Sequence, residues 1–75
     1  MEIEISYCDM CGGIDDAQNV ANEIEKHMGL KAKLIDVGRG RFEVTDNGKV
    51  VFSKAKEGRF PRPMEIVRRL KRMNS

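Results

Sequence analysis

The chain has 75 residues, 40% hydrophobic and 35% charged, a balance typical of one small globular domain and not of a disordered chain. It contains no apolar segment near the roughly 20 residues needed to span a bilayer. Its acidic, alternating start, Met-Glu-Ile-Glu-Ile, lacks the basic and apolar blocks of a secretory signal. We therefore expect a cytoplasmic protein with no membrane partner, in which thiols are kept reduced.

Charge is distributed unevenly along the chain. Residues 1–37 carry 3 Lys/Arg and 8 Asp/Glu, whereas residues 38–75 carry 11 and 4, so net charges of −5 and +7 follow each other. Such asymmetry fits either an anionic partner or two oppositely charged faces that improve solubility. One Tyr and three Phe leave little for base stacking, so this composition disfavours nucleic acid as a partner.

The first half of the chain predicts a strand, a helix and a second strand. Residues 3–7 alternate apolar and polar side chains, as in a strand with one buried face. A helix over 14–28 is predicted from apolar residues at helical spacing, and Gly29 ends it; these residues are Ile14, Ala17, Val20, Ala21, Ile24 and Met28. Residues 30–37 predict a strand parallel to the first, because a helix connects the two.

The second half predicts a hairpin followed by a helix. Strands over 41–45 and 50–52 flank Asn47-Gly48, a strong hairpin turn signal. Residues 55–62 read as a polar loop, and Pro63 fits the first turn of a last helix. The predicted apolar face of that helix consists of Ile66, Val67, Leu70 and Met73.

The order of elements is therefore β-α-β-β-β-α in a single domain over residues 1–75. Both helices need a sheet face to cover, which predicts an α/β two-layer sandwich with a four-stranded mixed sheet. The hairpin adds two antiparallel strands to the parallel pair. This arrangement is similar to the minimal thioredoxin-like fold.

Two cysteines, in SYCDMCGG at residues 6–13, lie between the first strand and the first helix. A thiol reacts as the thiolate, which a helix N-terminus or a CxxC spacing favours, and a second thiol nearby resolves a mixed disulfide. Cys8 and Cys11 are accordingly the predicted catalytic pair of a thiol-disulfide oxidoreductase acting on protein disulfides. Asp9 disfavours the thiolate, so we expect a reductant or exchange role. Asp9, Met10 and Gly12 are candidates for the substrate surface.

Metal binding is the main chemical alternative. A structural zinc site needs four ligands, and this chain offers two cysteines and the distant His27. Cu(I) remains open because thiolates select it and copper chaperones also place CxxC after a first strand. Those domains usually carry Met two residues before the first cysteine, where this chain has Ser6. We predict no metal site and no cofactor.

The segments GRFEVTDNGKVVFSK and GRFP, together with YCDMC after the first strand, resemble the selenoprotein W-like (Rdx) family, which includes selenoproteins W, T and H. The resemblance spans nearly the whole chain. It implies a thioredoxin-like fold, a Cys-x-x-Cys or Cys-x-x-selenocysteine loop, and a small thiol oxidoreductase of cell redox homeostasis. It also implies glutathione or thioredoxin-type proteins as partners.

The resemblance also bears on which cysteine attacks. Cys11 stands where selenocysteine lies in the selenium-containing members, which implies that Cys11 is the nucleophile and Cys8 resolves. In thioredoxins the first cysteine attacks, so the analogy with that fold favours Cys8. Thioredoxins also place a cis-proline against the dithiol, and Gly40 lies near that position here. Gly40 either lets a substrate backbone approach or serves a tight turn. A redox-sensitive adaptor that binds a protein partner is the alternative to a catalyst.

Overall fold

Four strands form one mixed sheet in the computed structural model, which describes residues 1–74. The strands are β1 (Ile3–Tyr7), β2 (Lys33–Asp36), β3 (Glu43–Asp46) and β4 (Lys49–Ser53). Their order across the sheet is β2-β1-β3-β4, with β1 parallel to β2 and the other two pairs antiparallel. The predicted four-stranded mixed sheet is confirmed, including the hairpin turn at Asn47-Gly48, where both residues have positive φ.

Three helices complete the domain: α1 (Ile14–Met28), the single turn α2 (Lys54–Glu57) and α3 (Pro63–Met73). Helices α1 and α3 contact each other as well as the sheet, so both cover the same face and the fold is a two-layer sandwich, as predicted. The core between the layers is apolar. Its members are Ile3, Ile5, Ala17, Val20, Ala21, Ile24, Phe42, Val44, Val51, Phe52, Ile66, Val67 and Leu70.

The alternation of residues along β1 sets which side chains enter this core. Ile5 lies opposite Leu34 of β2 on one side and opposite Val44 of β3 on the other, and Val44 lies opposite Phe52 of β4. A bulge between Val44 and Thr45 leaves Val51 as the extra residue, and Val51 is also buried. A row of apolar side chains therefore crosses the whole sheet beneath the helices.

Several details differ from the sequence prediction, which also placed the third and fourth strands at 41–45 and 50–52 and not at Glu43–Asp46 and Lys49–Ser53. Strand β2 begins at Lys33 and not at residue 30, because the chain leaves α1 through Gly29 at φ +67° and joins the ladder only after it has turned. The predicted loop over 55–62 contains most of α2, which Gly58 closes in a left-handed conformation with its N–H donated to the Lys54 carbonyl. Met73, predicted on the apolar face of α3, is exposed in the last turn.

Candidate redox site

The two cysteines form a disulfide at the C-terminal end of β1, with their Cα atoms 5.3 Å apart. Their environments differ: Cys8 is 3% exposed, whereas Cys11 is an exposed residue. Because β1 lies between β2 and β3, the segment over 37–42 that connects those strands crosses the end of β1. The disulfide therefore lies at a junction of two loops, with one sulfur-bearing residue at the surface and one inside.

Backbone hydrogen bonds of the two glycines hold the disulfide loop. Gly12 donates its N–H to the Asp9 carbonyl at 3.0 Å, and Gly13 donates to the Cys8 carbonyl at 2.9 Å. Helix α1 begins at Ile14 with Gly13 as its N-cap, so both cysteines precede its first turn. These two N–H groups therefore donate their hydrogen bonds to carbonyl oxygens and not to a cysteine sulfur.

Asp36, at the end of β2, ties the disulfide loop to the neighbouring segment. Its Oδ1 accepts hydrogen bonds from the backbone N–H of Asp9 and of Gly38, each at 3.2 Å. The Tyr7 carbonyl also accepts from Val37 at 2.8 Å. Sequence reasoning missed Asp36; the available signal was an aspartate two residues before a glycine, since Asp side chains bind the backbone N–H two residues on.

Gly40 belongs to a tight turn beside this loop. Arg41 donates its N–H to the Gly38 carbonyl at 3.1 Å, and the two residues between them, Arg39 and Gly40, have φ of +57° and +67°. Both central residues are left-handed, as in a type I′ turn. Gly40 thus serves the turn, and it also lines an open cavity of about 480 Å³ together with Arg39, Arg41 and Lys54.

The predicted substrate-surface residues of the loop are all accessible. Asp9, Met10 and Gly12 are exposed, and Met10 is 99% exposed between the two cysteines. Val37, whose N–H binds the end of β1, is a second exposed apolar residue at 40%. An apolar side chain in full solvent contact is the feature that a partner surface would cover.

His27 lies at the far end of α1, where its Nε2 is 3.0 Å from Glu23. Within residues 1–74, no group of three or more His, Cys, Asp or Glu side chains is placed to hold a metal ion.

Arg59 of the GRFP segment belongs to an ion-pair cluster that the sequence did not reveal. Arg59 forms a two-bond fork with Glu65 at 2.8 and 2.7 Å, and Arg69 forms another with Glu57 at 2.6 and 2.8 Å. Both guanidinium groups lie over the Phe52 ring, 5.3 and 5.2 Å from its centroid. Hydrogen bonding from Arg59 lowers the pKa of Glu65 to about 2. The cluster joins β4, α2 and α3.

Phe60 of the same segment connects this cluster with the redox end of the sheet. Its ring meets the Phe42 ring edge-on at 5.4 Å, and the Lys54 Nζ lies 4.6 Å above its centroid. Lys54 also donates to the Gly40 carbonyl at 3.4 Å. The motif residues Phe42 and Phe60 thus support the turn that carries Gly40.

Comparison with known proteins places these features in a family. A model of the Rdx family matches residues 2–72, which include the disulfide loop and the GRFP segment. The chain belongs to the Rdx family. The resemblance inferred from the sequence is therefore confirmed.

Curated relatives of this Rdx chain include migration and invasion enhancer 1 from Bos taurus and from Mus musculus. Each is 29% identical over 76 residues, an alignment that includes the whole of this chain. The chain spans 66% of the length of these relatives.

Solved structures show the same fold. A selenoprotein W-related protein from Vibrio cholerae aligns with a TM-score of 0.90 at 25% identity, over 99% of this chain and 96% of that one. A Bordetella parapertussis protein aligns with a TM-score of 0.90 at 24% identity, over 96% of this chain and 95% of that one. The predicted thioredoxin-like fold is confirmed. Across the part of the chain that the structure describes, no helix has the length and apolar character needed to cross a bilayer.

Proposed function

We propose that this Rdx chain is a thiol-disulfide oxidoreductase that uses Cys8 and Cys11 in redox homeostasis. The observation that carries the proposal is the asymmetry of the pair: Cys11 is exposed, whereas its disulfide partner Cys8 is 3% exposed. Thiol-disulfide exchange of this kind needs one accessible nucleophile and a second thiol close enough to resolve the mixed disulfide. Proteins with disulfides are the proposed substrates.

Reduction of a substrate disulfide takes two exchange steps. The Cys11 thiolate attacks one substrate sulfur, so a mixed disulfide forms and the other substrate sulfur leaves as a thiolate. The Cys8 thiolate then attacks Cys11 Sγ, which releases the second substrate thiolate and leaves the Cys8–Cys11 disulfide. Two electrons pass from the protein dithiol to the substrate, and water supplies the protons that the leaving thiolates take up.

Single-cysteine variants test the order of attack. We expect Cys8→Ser to accumulate a mixed disulfide with a substrate, because the exposed Cys11 attacks and no thiol resolves the adduct. Cys11→Ser should accumulate little, because Cys8 is buried. Intact-mass spectrometry after incubation with a disulfide-containing peptide gives the adduct fractions. Adducts on Cys11→Ser alone would assign the attack to Cys8.

We also propose glutathione or a thioredoxin-type protein as the electron donor. Equilibration of the chain with glutathione redox buffers gives the fraction of Cys8–Cys11 disulfide at each ratio of reduced to oxidised glutathione. We expect the dithiol to form within the range of a reducing cytosol, where the oxidised product must be recycled. A disulfide that stays oxidised throughout that range would contradict the role of a glutathione-coupled reductant.

A redox-sensitive adaptor is the second candidate, and the exposed Met10 and Val37 beside the disulfide favour it. In that case oxidation would change the surface that a protein partner meets, without repeated chemistry. A disulfide-reductase assay with excess donor separates the two functions. Many turnovers per chain support the oxidoreductase, whereas a single stoichiometric turnover supports the adaptor.

A further inference from the structure

A series of positive side chains begins beside the disulfide and continues along the domain. We define the basic strip as Arg39, Arg41, Lys54, Arg62 and Arg68. The first three line the cavity of about 480 Å³ at the Gly40 turn, and the last two line a second open cavity of about 580 Å³ along α3. Phe60 lines the second cavity and contacts Phe42 and Lys54 of the first, so the two cavities adjoin.

The charge of the basic strip is not neutralised within the fold. Its four arginines form no ion pair with a carboxylate inside residues 1–74. Two further arginines of the second cavity, Arg59 and Arg69, are already paired with Glu57 and Glu65. Among the lining residues of the first cavity, Glu43 is the one acid. Both cavities therefore present an excess of positive charge.

Negative charge surrounds the disulfide itself. Asp9 lies between the cysteines, Asp15 and Asp16 lie in the first turn of α1, and Asp36 binds the disulfide loop. Asp9, Asp15 and Asp36 are exposed. The net charges of −5 and +7 seen along the sequence therefore meet at the redox site: the aspartates lie in and next to the disulfide loop, and the basic strip begins at the Gly40 turn and continues to α3.

We propose that the basic strip docks an acidic segment of the substrate protein, so that this chain selects disulfides flanked by Asp and Glu. The proposal rests on the oxidoreductase function proposed above. Carboxylates on one side of the substrate cysteine would pair with the strip, while the aspartates near Cys11 would repel a substrate in the reverse orientation. Guanidinium groups suit this role because they bind carboxylates through two parallel hydrogen bonds.

A nucleic acid fits the same surface less well. Single strands are usually held by aromatic rings on which bases stack. The exposed aromatic ring of the second cavity, Phe60, already has Lys54 over its face and Phe42 against it.

Three matched peptides test the proposal. Each contains the same disulfide, flanked by Glu, Gln or Lys, and each is mixed with the pre-reduced protein to measure the second-order rate constant of reduction. We expect Glu to be fastest and Lys slowest, with a Glu-to-Lys ratio of about tenfold at low salt, at the lower end of electrostatic steering. The ratio should shrink as the Debye length falls to about 8 Å at physiological ionic strength. Equal rates for the three peptides would overturn the proposal.

Two charge-reversal variants locate the effect. The double variant Arg41→Glu/Arg68→Glu changes one arginine in each cavity, and Lys26→Glu/Lys31→Glu makes the same change in net charge on the α1 side. We expect the Glu-to-Lys ratio to disappear or invert in the first variant and to persist in the second. Equal loss in both would assign the preference to net charge and overturn the strip as its source. Circular dichroism of both variants checks that each is folded before the ratios are compared.

Hydroxyethyl disulfide, an uncharged small substrate, separates this proposal from the proposed function. If the wild-type protein reduces it but shows no peptide preference, the docking strip alone is wrong. If the protein reduces neither it nor any peptide, the oxidoreductase function is wrong, and the strip as a substrate site falls with it. A fluorescent oligonucleotide tests the nucleic-acid alternative. If it binds the wild-type protein more tightly than an acidic peptide of equal charge does, and does not bind Arg41→Glu/Arg68→Glu, the strip would be reassigned to nucleic acid.

Discussion

At the scale of single residues, the two glycines after Cys11 act in different ways. Gly12 has φ +81°, a conformation that side chains other than glycine adopt at a cost. Gly13 has an ordinary φ of −78°, but a β-carbon there would lie 3.0 Å from the Cys8 carbonyl oxygen and 3.4 Å from the Cys8 nitrogen. Gly12 therefore shapes the turn, and Gly13 lets α1 start directly against the backbone of the buried cysteine.

We predict that Gly13→Ala destabilises the domain by about 1 kcal/mol, because the added methyl group must push the backbone of Cys8 aside. Urea unfolding measures this loss of unfolding free energy, provided that the dependence of the free energy on urea concentration has the same slope in both proteins. The same shift should speed alkylation of Cys8 in the reduced protein, since it loosens the packing around that thiol.

Gly58→Ala is the matched control for this prediction. Gly58 has φ +70° with open space around its β-carbon position, so alanine there costs about 1 kcal/mol through backbone conformation alone. It closes α2 and not the disulfide loop, so the alkylation rate of Cys8 should match the wild type. Equal alkylation rates in both variants would show that Gly13 does not shelter Cys8.

At the scale of elements, the ion-pair cluster explains why a segment that reads as a polar loop is ordered. Glu57 of α2 and Glu65 of α3 hold the guanidinium groups of Arg69 and Arg59 against the Phe52 ring of β4. Arg69 also donates to the Val51 carbonyl at 3.0 Å, at the bulge in β4. The forks join residues 6 and 12 positions apart, in different elements, so the periodicity of a single helix or strand could not predict them.

We predict that acid weakens this cluster in a defined pH range. The pKa of Glu65 is lowered from 4.5 to about 2 in the folded chain, because it accepts hydrogen bonds from Arg59. A carboxyl group with a lowered folded pKa contributes stability that is fully present above 4.5 and is lost as pH falls towards 2. The melting temperature should therefore fall across this range, and Glu65→Gln should lower it at pH 7 and flatten its dependence on pH.

Glu25→Gln, on the exposed face of α1, is the control for the acid prediction. Differential scanning calorimetry between pH 2 and pH 7 should show that the melting temperature of this variant depends on pH as steeply as that of the wild type. If the melting temperature of Glu65→Gln also falls with pH as steeply as that of the wild type, other carboxyl groups account for the acid sensitivity.

At the scale of the whole molecule, the sequence predicted what depends on local patterning. The alternation in β1, the apolar spacing of α1 and the Asn47-Gly48 turn lead directly to the observed order of elements. The burial of Cys8 and the bonds of Asp36 could not be predicted, because both depend on how loops from separate strands meet. The charge asymmetry was visible along the chain, but its arrangement about the disulfide required the sheet order.

The reduced chain should remain folded, because no cysteine belongs to the apolar cluster between sheet and helices, although Cys8 itself is buried. Cys8 and Cys11 close a loop of four residues. Loop-closure entropy for so short a loop is worth about 2 kcal/mol. We therefore predict cooperative urea unfolding in both redox states, with unfolding free energies that differ by about 2 kcal/mol in favour of the oxidised chain.

That difference in unfolding free energy has a second, independent measure. For a two-electron couple, 30 mV corresponds to about 1.4 kcal/mol, so a difference of about 2 kcal/mol lowers the reduction potential of the native chain by about 40 mV relative to the unfolded chain. Glutathione equilibration in the presence and absence of urea gives this shift directly. Agreement of the two measures would show that each redox state folds and unfolds in a single two-state step. A chain that cycles between redox states without unfolding requires this. A reduced chain without a cooperative transition would contradict the prediction, because Cys8–Cys11 would then be structural and could not be opened in each catalytic cycle.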